Sequence, residues 1–370
     1  MQKTSPVLFE NYKLGPVTLK NRFVMASLTR MRCNPENGIP NDLLVEYYSQ
    51  RASAGLILSE CAAISERGNT FPGCGGIYNK EQVKGWKRVT DAVHQKGSKI
   101  FIQIWHGGRS AAANKNTGEP PLAPSAIVIK EDRRKGVPHD VPKEMTHEDI
   151  KEVIEQFRQG ALNAKEAGFD GIELHGAHGY LVDEFLRDGA NKRTDEYGGS
   201  VENRSRFCLE IIDILIEIFG ADRVGIKLSP VNKYQSMSDS DPVTLYTYLL
   251  QQLDKRGIAY IQIREMEDSA KTGDEDKKLL ELCKTLRPFF KGTIMINENL
   301  TPEKLTEAIE NGYADLGVFG RAFISNPDFV ERVQNGWPLN AWDSSTFFYG
   351  GDGKGYTDYP FYEKNKELTH

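Results

Sequence analysis

Short apolar runs alternate with longer segments of helical periodicity along almost the whole chain. Eight runs are predicted as strands: Phe23–Ala26, Leu56–Ser59, Ile100–Ile104, Gly171–His175, Val224–Leu228, Ala259–Ile263, Thr293–Ile296 and Leu316–Phe319. Each is rich in Ile, Val, Leu or Phe, as expected of strands buried on both faces. Amphipathic segments follow them. The one after Thr146 places Ile150, Val153, Ile154, Phe157 and Ala161 on a single stripe. Ser200 predicts the N-cap of a helix running to Phe219 and stopped by Gly220. Asp241-Pro242 and Thr301-Pro302 each join a capping residue to proline at the first helical position, and Ser325-Asn326-Pro327 repeats the signal.

Eight strand–helix units predict an α/β protein built as a closed (β/α)8 barrel, the TIM barrel, rather than an open sheet. No linker divides the chain, so residues 1–370 are expected to form one domain with its core at about 8–362. The stretch from Gly107 to Lys143 is too long for an ordinary connection and is predicted to be an excursion over the barrel mouth. Chemistry in such barrels sits at the C-terminal ends of the strands.

One strand end is dense in chemistry: His175-Gly176-Ala177-His178-Gly179-Tyr180. Two histidines three apart share a face if the chain turns helically there, and a phenol follows two residues later. Imidazoles that hold a carbonyl oxygen beside a weak acid suit reactions that build negative charge on that oxygen. The residues alone leave two other readings open, a metal site using Glu173, Asp183 or Glu184, and a purely structural histidine pair. The spacing departs from the zinc-protease pattern, in which the histidines are four apart.

Other strand ends add to the picture. Strand 1 leads into Ser27-Leu28-Thr29-Arg30-Met31-Arg32, strand 3 ends at Gln103-Ile104-Trp105, and strand 5 carries Lys227. Thr29, Gln103 and Lys227 bring a hydroxyl, an amide and a cation to one mouth, which suits a flat heterocycle with hydrogen-bonding edges. Gly320-Arg321 at the exit of strand 8 lies where such barrels bind phosphate, with glycine allowing close backbone approach and arginine a bidentate contact.

Composition narrows the field. A hydrophobic fraction of 39%, a charged fraction of 27% and a net charge of −5 fit a soluble globular protein and argue against a general nucleic-acid surface. The basic cluster Lys130–Lys135 is interrupted by acids and reads as a solvated loop. Five widely spaced cysteines without a Cys-x-x-Cys pair argue against a disulfide scaffold or an iron–sulfur cluster, and no metal is expected. Free thiols, no signal-peptide core in Met1 to Gly15 and no apolar run of membrane-spanning length predict a cytoplasmic protein. Oligomeric state is not legible.

Taken together, these segments resemble the Old Yellow Enzyme family of FMN-dependent ene-reductases, from Leu8 to about Tyr362. The likeness is carried by Leu28–Arg32, Gln103–Trp105, His175–Leu181, the run Arg193-Thr194-Asp195-Glu196-Tyr197-Gly198-Gly199-Ser200 through Glu202-Asn203-Arg204, Phe319–Arg321 with Ile324–Asp328, and Gly355-Tyr356-Thr357-Asp358-Tyr359-Pro360. Thr29, rather than Cys, resembles the subgroup typified by the yeast and enterobacterial enzymes. His-x-x-His is more similar to bacterial and plant members.

The resemblance implies non-covalent FMN, reduction by NADPH or NADH, and reoxidation by an activated alkene. It implies that Thr29 meets flavin O4, Gln103 the pyrimidine edge, and Gly320 and Arg321 the phosphate. It further implies that His175 and His178 hold the substrate carbonyl oxygen, that Tyr180 protonates the α-carbon, and that Trp105 and Tyr356 line the substrate pocket. The chain departs from the family pattern at three places. Lys227 replaces an arginine near flavin N1 and O2, Asn297-Glu298-Asn299 stands where glycine is common at the phosphate loop, and Cys61 replaces Gly or Ala beneath the flavin. Expected ligands are enones, enals and phenols. Rival readings are a nitroester, nitro-compound or quinone reductase using the same flavin, a flavin- or steroid-binding barrel with little turnover, and a flavin-free barrel hydrolase.

Overall fold

The computed structural model describes residues 5–112, 118–131, 138–264, 275–348 and 351–363. Eight parallel strands close into a barrel in sequence order: β1 (Phe23–Met25), β2 (Leu56–Ala63), β3 (Ile100–Trp105), β4 (Gly171–Gly176), β5 (Val224–Leu228), β6 (Tyr260–Arg264), β7 (Thr293–Asn297) and β8 (Leu316–Phe319). Pairing of β8 with β1, Gly317 opposite Phe23, completes the ring. Every strand position from β1 to β5 is buried, which is why the sequence shows apolar runs rather than alternation.

The outer ring of helices begins with α1 (Asp42–Gln50), α2 (Lys80–Gln95), α3 (His147–Glu166), α4 (Leu181–Leu186) and α5 (Val201–Phe219). It continues with α6 (Pro242–Arg256), α7 (Glu275–Leu286), α8 (Pro302–Glu310), α9 (Arg321–Ser325) and α10 (Phe329–Asn335). Thr146 caps α3 in a reciprocal box with Asp149, and Ile150, Val153, Phe157 and Ala161 of its stripe are fully buried. Ser200 caps α5, which ends at Gly220 with φ +85°. Among the described residues no helix is long and apolar enough to cross a membrane.

Inside the barrel, large and small residues interlock. The Tyr260 ring lies across β5, where a Cβ on Gly225 would come within 2.1 Å of it. The Phe101 ring crosses β4 in the same way, 2.4 Å from where a Cβ on Gly171 would sit. Below these rings a hairpin of Tyr12–Leu14 and Val17–Leu19 packs Leu14, Val17 and Leu19 against Val24, Leu56 and Leu316 and plugs the N-terminal end.

Two expectations need correction. The Ser325-Asn326-Pro327 signal does not start a helix: Ser325 ends α9, and α10 begins at Phe329 with Asp328 at its cap. Asn326 is instead tied down by donating to Ala322 O (2.9 Å) and accepting from Asn340 N (2.7 Å). The described part of the 107–143 excursion does not cross the mouth cavity. A two-residue parallel pairing, Leu122–Ala123 with Lys143–Glu144, ties its middle to its C-terminal end, and Lys130 N donates to Ser236 Oγ (2.9 Å) on the loop after β5. There it borders a second groove of about 740 Å³ that shares no lining residue with the mouth cavity. Positions 132–135 of the basic cluster lie outside the described residues.

Candidate active site

The C-terminal ends of the strands surround a cavity of about 840 Å³, within the size range of cofactor and substrate sites. All eight strands reach it. Thr29, Cys61, Gln103, His175, His178, Tyr180, Lys227, Asn299, Gly320 and Arg321 all line its wall. Residues as far apart in sequence as Thr29 and Arg321 converge here because a parallel barrel puts every strand's exit at one end.

His175 and His178 do come together, but by a different route from a helical turn. β4 ends at Gly176, and the chain then kinks through left-handed conformations at His178 (φ 60°) and Gly179 (φ 72°) before α4 begins. Left-handed backbone at a residue with a side chain costs roughly 1 kcal/mol or more and persists only when surroundings enforce it. Here Ser229 Oγ accepts from His178 N (2.9 Å) and Asp183 Oδ2 accepts from Gly179 N (2.8 Å). The kink brings the two imidazoles to 5.6 Å between centroids. Ala177 N donates to His175 Nδ1 at 3.3 Å, so the neutral ring carries its proton on Nε2. His178 Nε2 is buried without a protein partner.

Burial holds both imidazoles well below the ordinary histidine range, and the nearby cations Lys227 and Arg264 act in the same direction. Two neutral rings therefore face the cavity near pH 7, each able to give one N–H. Tyr180 stands beside them, 4.9 Å from His175 and 4.6 Å from Trp105, edge-on to both rings. Burial, reinforced by Cys61, pushes its phenol well above the usual value. It stays protonated throughout the neutral range and is a donor, not a phenolate.

Below this group lies a buried polar layer. Gln103 Nε2 donates to Glu173 Oε1 at 2.6 Å, and Lys227 Nζ donates across the mouth to Ser27 Oγ at 3.3 Å. Burial pulls Lys227 down to about 8, with Arg264 adding to the effect and Glu173 opposing it. Burial likewise pushes Glu173 up to about 7 against the pull of Lys227. Gln262 on β6, opposite Lys227, is fully buried with neither end of its amide partnered.

At the β7–β8 side, Glu298 (φ 156°) and Asn299 (φ 40°) turn the chain outward, and Arg321 donates to Asn299 Oδ1 at 2.5 Å. Asn297 Nδ2 donates to Val318 O at 2.7 Å and ties the two strand exits together. Gly320 caps α9 with no side chain of its own over the first turn. This is an exposed, cationic end to an otherwise buried cavity.

A family model described as NADH:flavin oxidoreductase / NADH oxidase matches residues 7–340. The chain belongs to that family. A protein of Leishmania infantum named probable flavin mononucleotide-dependent alkene reductase is 42% identical over 97% of this chain and 98% of its own length. The 12-oxophytodienoate reductase 1 of Oryza sativa subsp. japonica is 41% identical over 97% of this chain and 94% of its own. The structure of morphinone reductase in complex with tetrahydroNAD superposes with a TM-score of 0.89 at 39% identity, covering 97% of this chain and 99% of that one. The family's activity, NAD(P)H-dependent oxidoreduction on FMN, is thus this chain's activity.

The cavity fits a flavin of this family on its own evidence. Its wall brings the Thr29 hydroxyl, the Gln103 amide and the Lys227 cation to one side and Arg321 to the exposed end, and His178 Nε2, buried without a protein partner, is aimed where a ligand would meet it. Two sequence expectations do not hold. Tyr356 lines no part of the cavity: it is fully buried behind the wall, stacked on Tyr47 at 3.9 Å with planes 10° apart. The reason lies in Arg30, which donates to Gly355 O (2.7 Å) and draws the Tyr356 segment inward. Phe347 and Phe348 line the rim instead. Trp105 also lies behind the wall, supporting Tyr180 and His175 rather than facing the cavity.

The sequence reading missed Arg264, which lines the cavity and pairs with Glu298 at 3.1 Å. The signal existed: Arg264 is a cation at the C-terminal end of a barrel strand, as Lys227 is on the neighbouring one. Tyr234 and Phe71 complete the walls from loops whose composition carries no such mark. Asp183 and Glu184, considered as metal ligands, accept from the backbone of Gly179 (2.8 Å) and Arg109 (2.9 Å) and do not join the histidines. Among the described residues the grouping with metal-ligand spacing is His147, Asp195 and Glu196, on the outside of the barrel.

Proposed function

We propose that the protein reduces the carbon–carbon double bond of α,β-unsaturated carbonyl compounds, with NADPH or NADH as reductant. The observation that carries this reading is the convergence of two neutral imidazoles and one protonated phenol on a single cavity wall. Bound FMN supplies the two-electron exchange between nicotinamide and alkene, chemistry no side chain provides. Thr29, Gln103 and Lys227 would hold its ring system, and Asn299, Gly320 and Arg321 its phosphate.

His175 Nε2–H and His178 receive the substrate's carbonyl oxygen and stabilise the negative charge that develops there. Their low basicity keeps them from being protonated before substrate arrives. Tyr180 gives its hydroxyl proton to the α-carbon, and the high phenol value keeps that proton in place until it is needed. The Trp105 and His175 rings hold the Tyr180 ring in position, and the apolar rim of Phe71, Phe347 and Phe348 suits a hydrophobic alkene. Five buried cysteines without disulfides support a reducing, cytoplasmic setting.

Purified protein with a flavin absorption band, oxidising NADPH in the presence of cyclohexenone to give the saturated ketone, is the expected result. Nitroester turnover with no enone turnover would favour the nitroester reductase reading. A colourless protein that takes up no FMN would overturn both.

A further inference from the structure

Cys61 reaches the cavity because β2 is irregular. Its register against β3 shifts between Leu58 and Cys61, so Leu58 and Cys61 both face the barrel interior, while the Glu60 carboxylate accepts from Arg30 N (3.4 Å) and lies outside the cavity lining. Beyond β2, the segment that follows Phe71 returns alongside the same strand. Ala63 and Gly76 form a parallel bridge, with Ala63 N donating to Gly75 O and Ile77 N to Ala63 O, both at 2.9 Å. Stepping two residues back along each chain from that bridge sets Cys74 beside Cys61.

Adjacent paired chains lie about 4.8 Å apart, inside the Cα separation a disulfide tolerates. The two thiols are unequal. Cys74 is wholly buried, and the Cys61 sulfur, on which its thiol bears, together with burial raises it well above the usual thiol value. Cys61 lines the cavity, contacts Thr29 Oγ1 at 3.3 Å and lies within electrostatic reach of Lys227. A thiol that lines a ligand cavity beside a hydroxyl and within reach of a cation has the surroundings of a reactive cysteine, although only 5% of its surface is exposed.

We propose that Cys61 is an oxidative modification site, attacked by hydroperoxides entering the cavity, and that Cys74 resolves it to a Cys61–Cys74 disulfide. In the first step the Cys61 sulfur forms a bond to one peroxide oxygen, the O–O bond breaks, and water or an alcohol leaves. In the second the Cys74 sulfur attacks the Cys61 sulfur, the S–O bond breaks, and the departing hydroxide takes the Cys74 proton as water. Two thiols and one peroxide give one disulfide and, from hydrogen peroxide, two waters. Closure draws Cys61 from Thr29, so the oxidised protein holds its flavin site differently.

The test uses the FMN-loaded protein titrated with hydrogen peroxide, then unfolded and digested without reductant. The expected result is a linked pair of peptides containing Cys61 and Cys74, lost on adding dithiothreitol, with three of the five thiols still free. In Cys74→Ser, dimedone should label Cys61 after peroxide. Retention of all five thiols in peroxide-treated wild type overturns the proposal, whatever the variant does. A Cys33–Cys61 link would overturn the assignment of Cys74, since Cys33 also packs close by. Dimedone labelling of Cys74 in Cys61→Ser, with none of Cys61 in Cys74→Ser, would overturn the order of attack.

Discussion

The ring of Tyr180 meets that of His175 edge-on, 4.9 Å between centroids with planes at 86°. Trp105 makes a second edge contact at 85°, and such pairs contribute about 0.5–1.5 kcal/mol each beyond area burial. The phenol is therefore held by its ring, leaving the hydroxyl to do chemistry. Tyr180→Phe keeps both ring contacts and removes only the proton. Flavin reduction by NADPH should stay near wild type while reoxidation by cyclohexenone falls by about 10²–10⁴-fold. Oxygen or quinone turnover, which needs no proton at carbon, is the control. Stopped-flow rates for each half-reaction decide it, and a parallel fall in both would make Tyr180 a packing residue.

His178→Ala should weaken binding of phenols, whose oxygen occupies the carbonyl position. Loss of a buried hydrogen bond to a charged oxygen costs about 1.5–3 kcal/mol, or roughly 10- to 150-fold in Kd. Spectroscopic titration of the flavin band with para-substituted phenols measures it. Equal affinity in the His175→Ala and His178→Ala variants and wild type would remove the pair from the site.

Lys227→Met should lower the flavin midpoint potential, because negative charge gained on reduction loses a buried cation at hydrogen-bonding distance from Ser27 (3.3 Å). Arg264 remains nearby and limits the effect. An unchanged potential in a dye-coupled titration would show that Lys227 does not face the flavin.

Acid should destabilise the fold through its buried neutral histidines. His106 is pulled down to about 3, by burial first and Arg67 second, and His175 and His178 shift in the same direction. The unfolded chain takes up these protons below about pH 6.5 whereas the folded chain does not. Each such group therefore lowers stability by up to about 1.4 kcal/mol per pH unit as pH falls from there toward its folded value. His106→Asn should flatten the decline in urea midpoint between about pH 6 and pH 4.5. The same slope in variant and wild type would show that His106 is not kept neutral.

Gly225→Ala should destabilise the barrel even though alanine favours neither helix nor turn here. Its Cβ would fall 2.1 Å from the Tyr260 ring, and overpacking of this kind costs about 1–3 kcal/mol or more. The double variant Gly225→Ala/Tyr260→Leu should recover part of the loss in urea unfolding, whereas simple additivity would place the strain elsewhere.

The order and number of the strands were set by local pattern: eight apolar runs, each followed by a capped helical stripe, leave a closed parallel barrel as the arrangement that buries both faces of every strand. β5 and β8 have the predicted boundaries, and the Ser200 cap and Gly220 stop of α5 are those of the sequence. Strand exits were also legible, since position along a barrel strand alone assigns Thr29, Gln103, His175, Lys227 and Arg321 to one mouth. What the tertiary structure decided is facing. The shift in β2 reverses the parity that alternation assigns, so Cys61 points in and Glu60 lies outside the cavity lining, and no local residue type announces it. The left-handed kink at His178 joins the histidines because Ser229 and Asp183, from elsewhere in the chain, satisfy the backbone there. Tyr356 was misplaced for the same reason: Arg30 and Tyr47 draw it behind the wall through contacts more than 300 positions away. A chain's own periodicity records which residues are buried, whereas which cavity a buried residue faces depends on partners that only the closed barrel brings near.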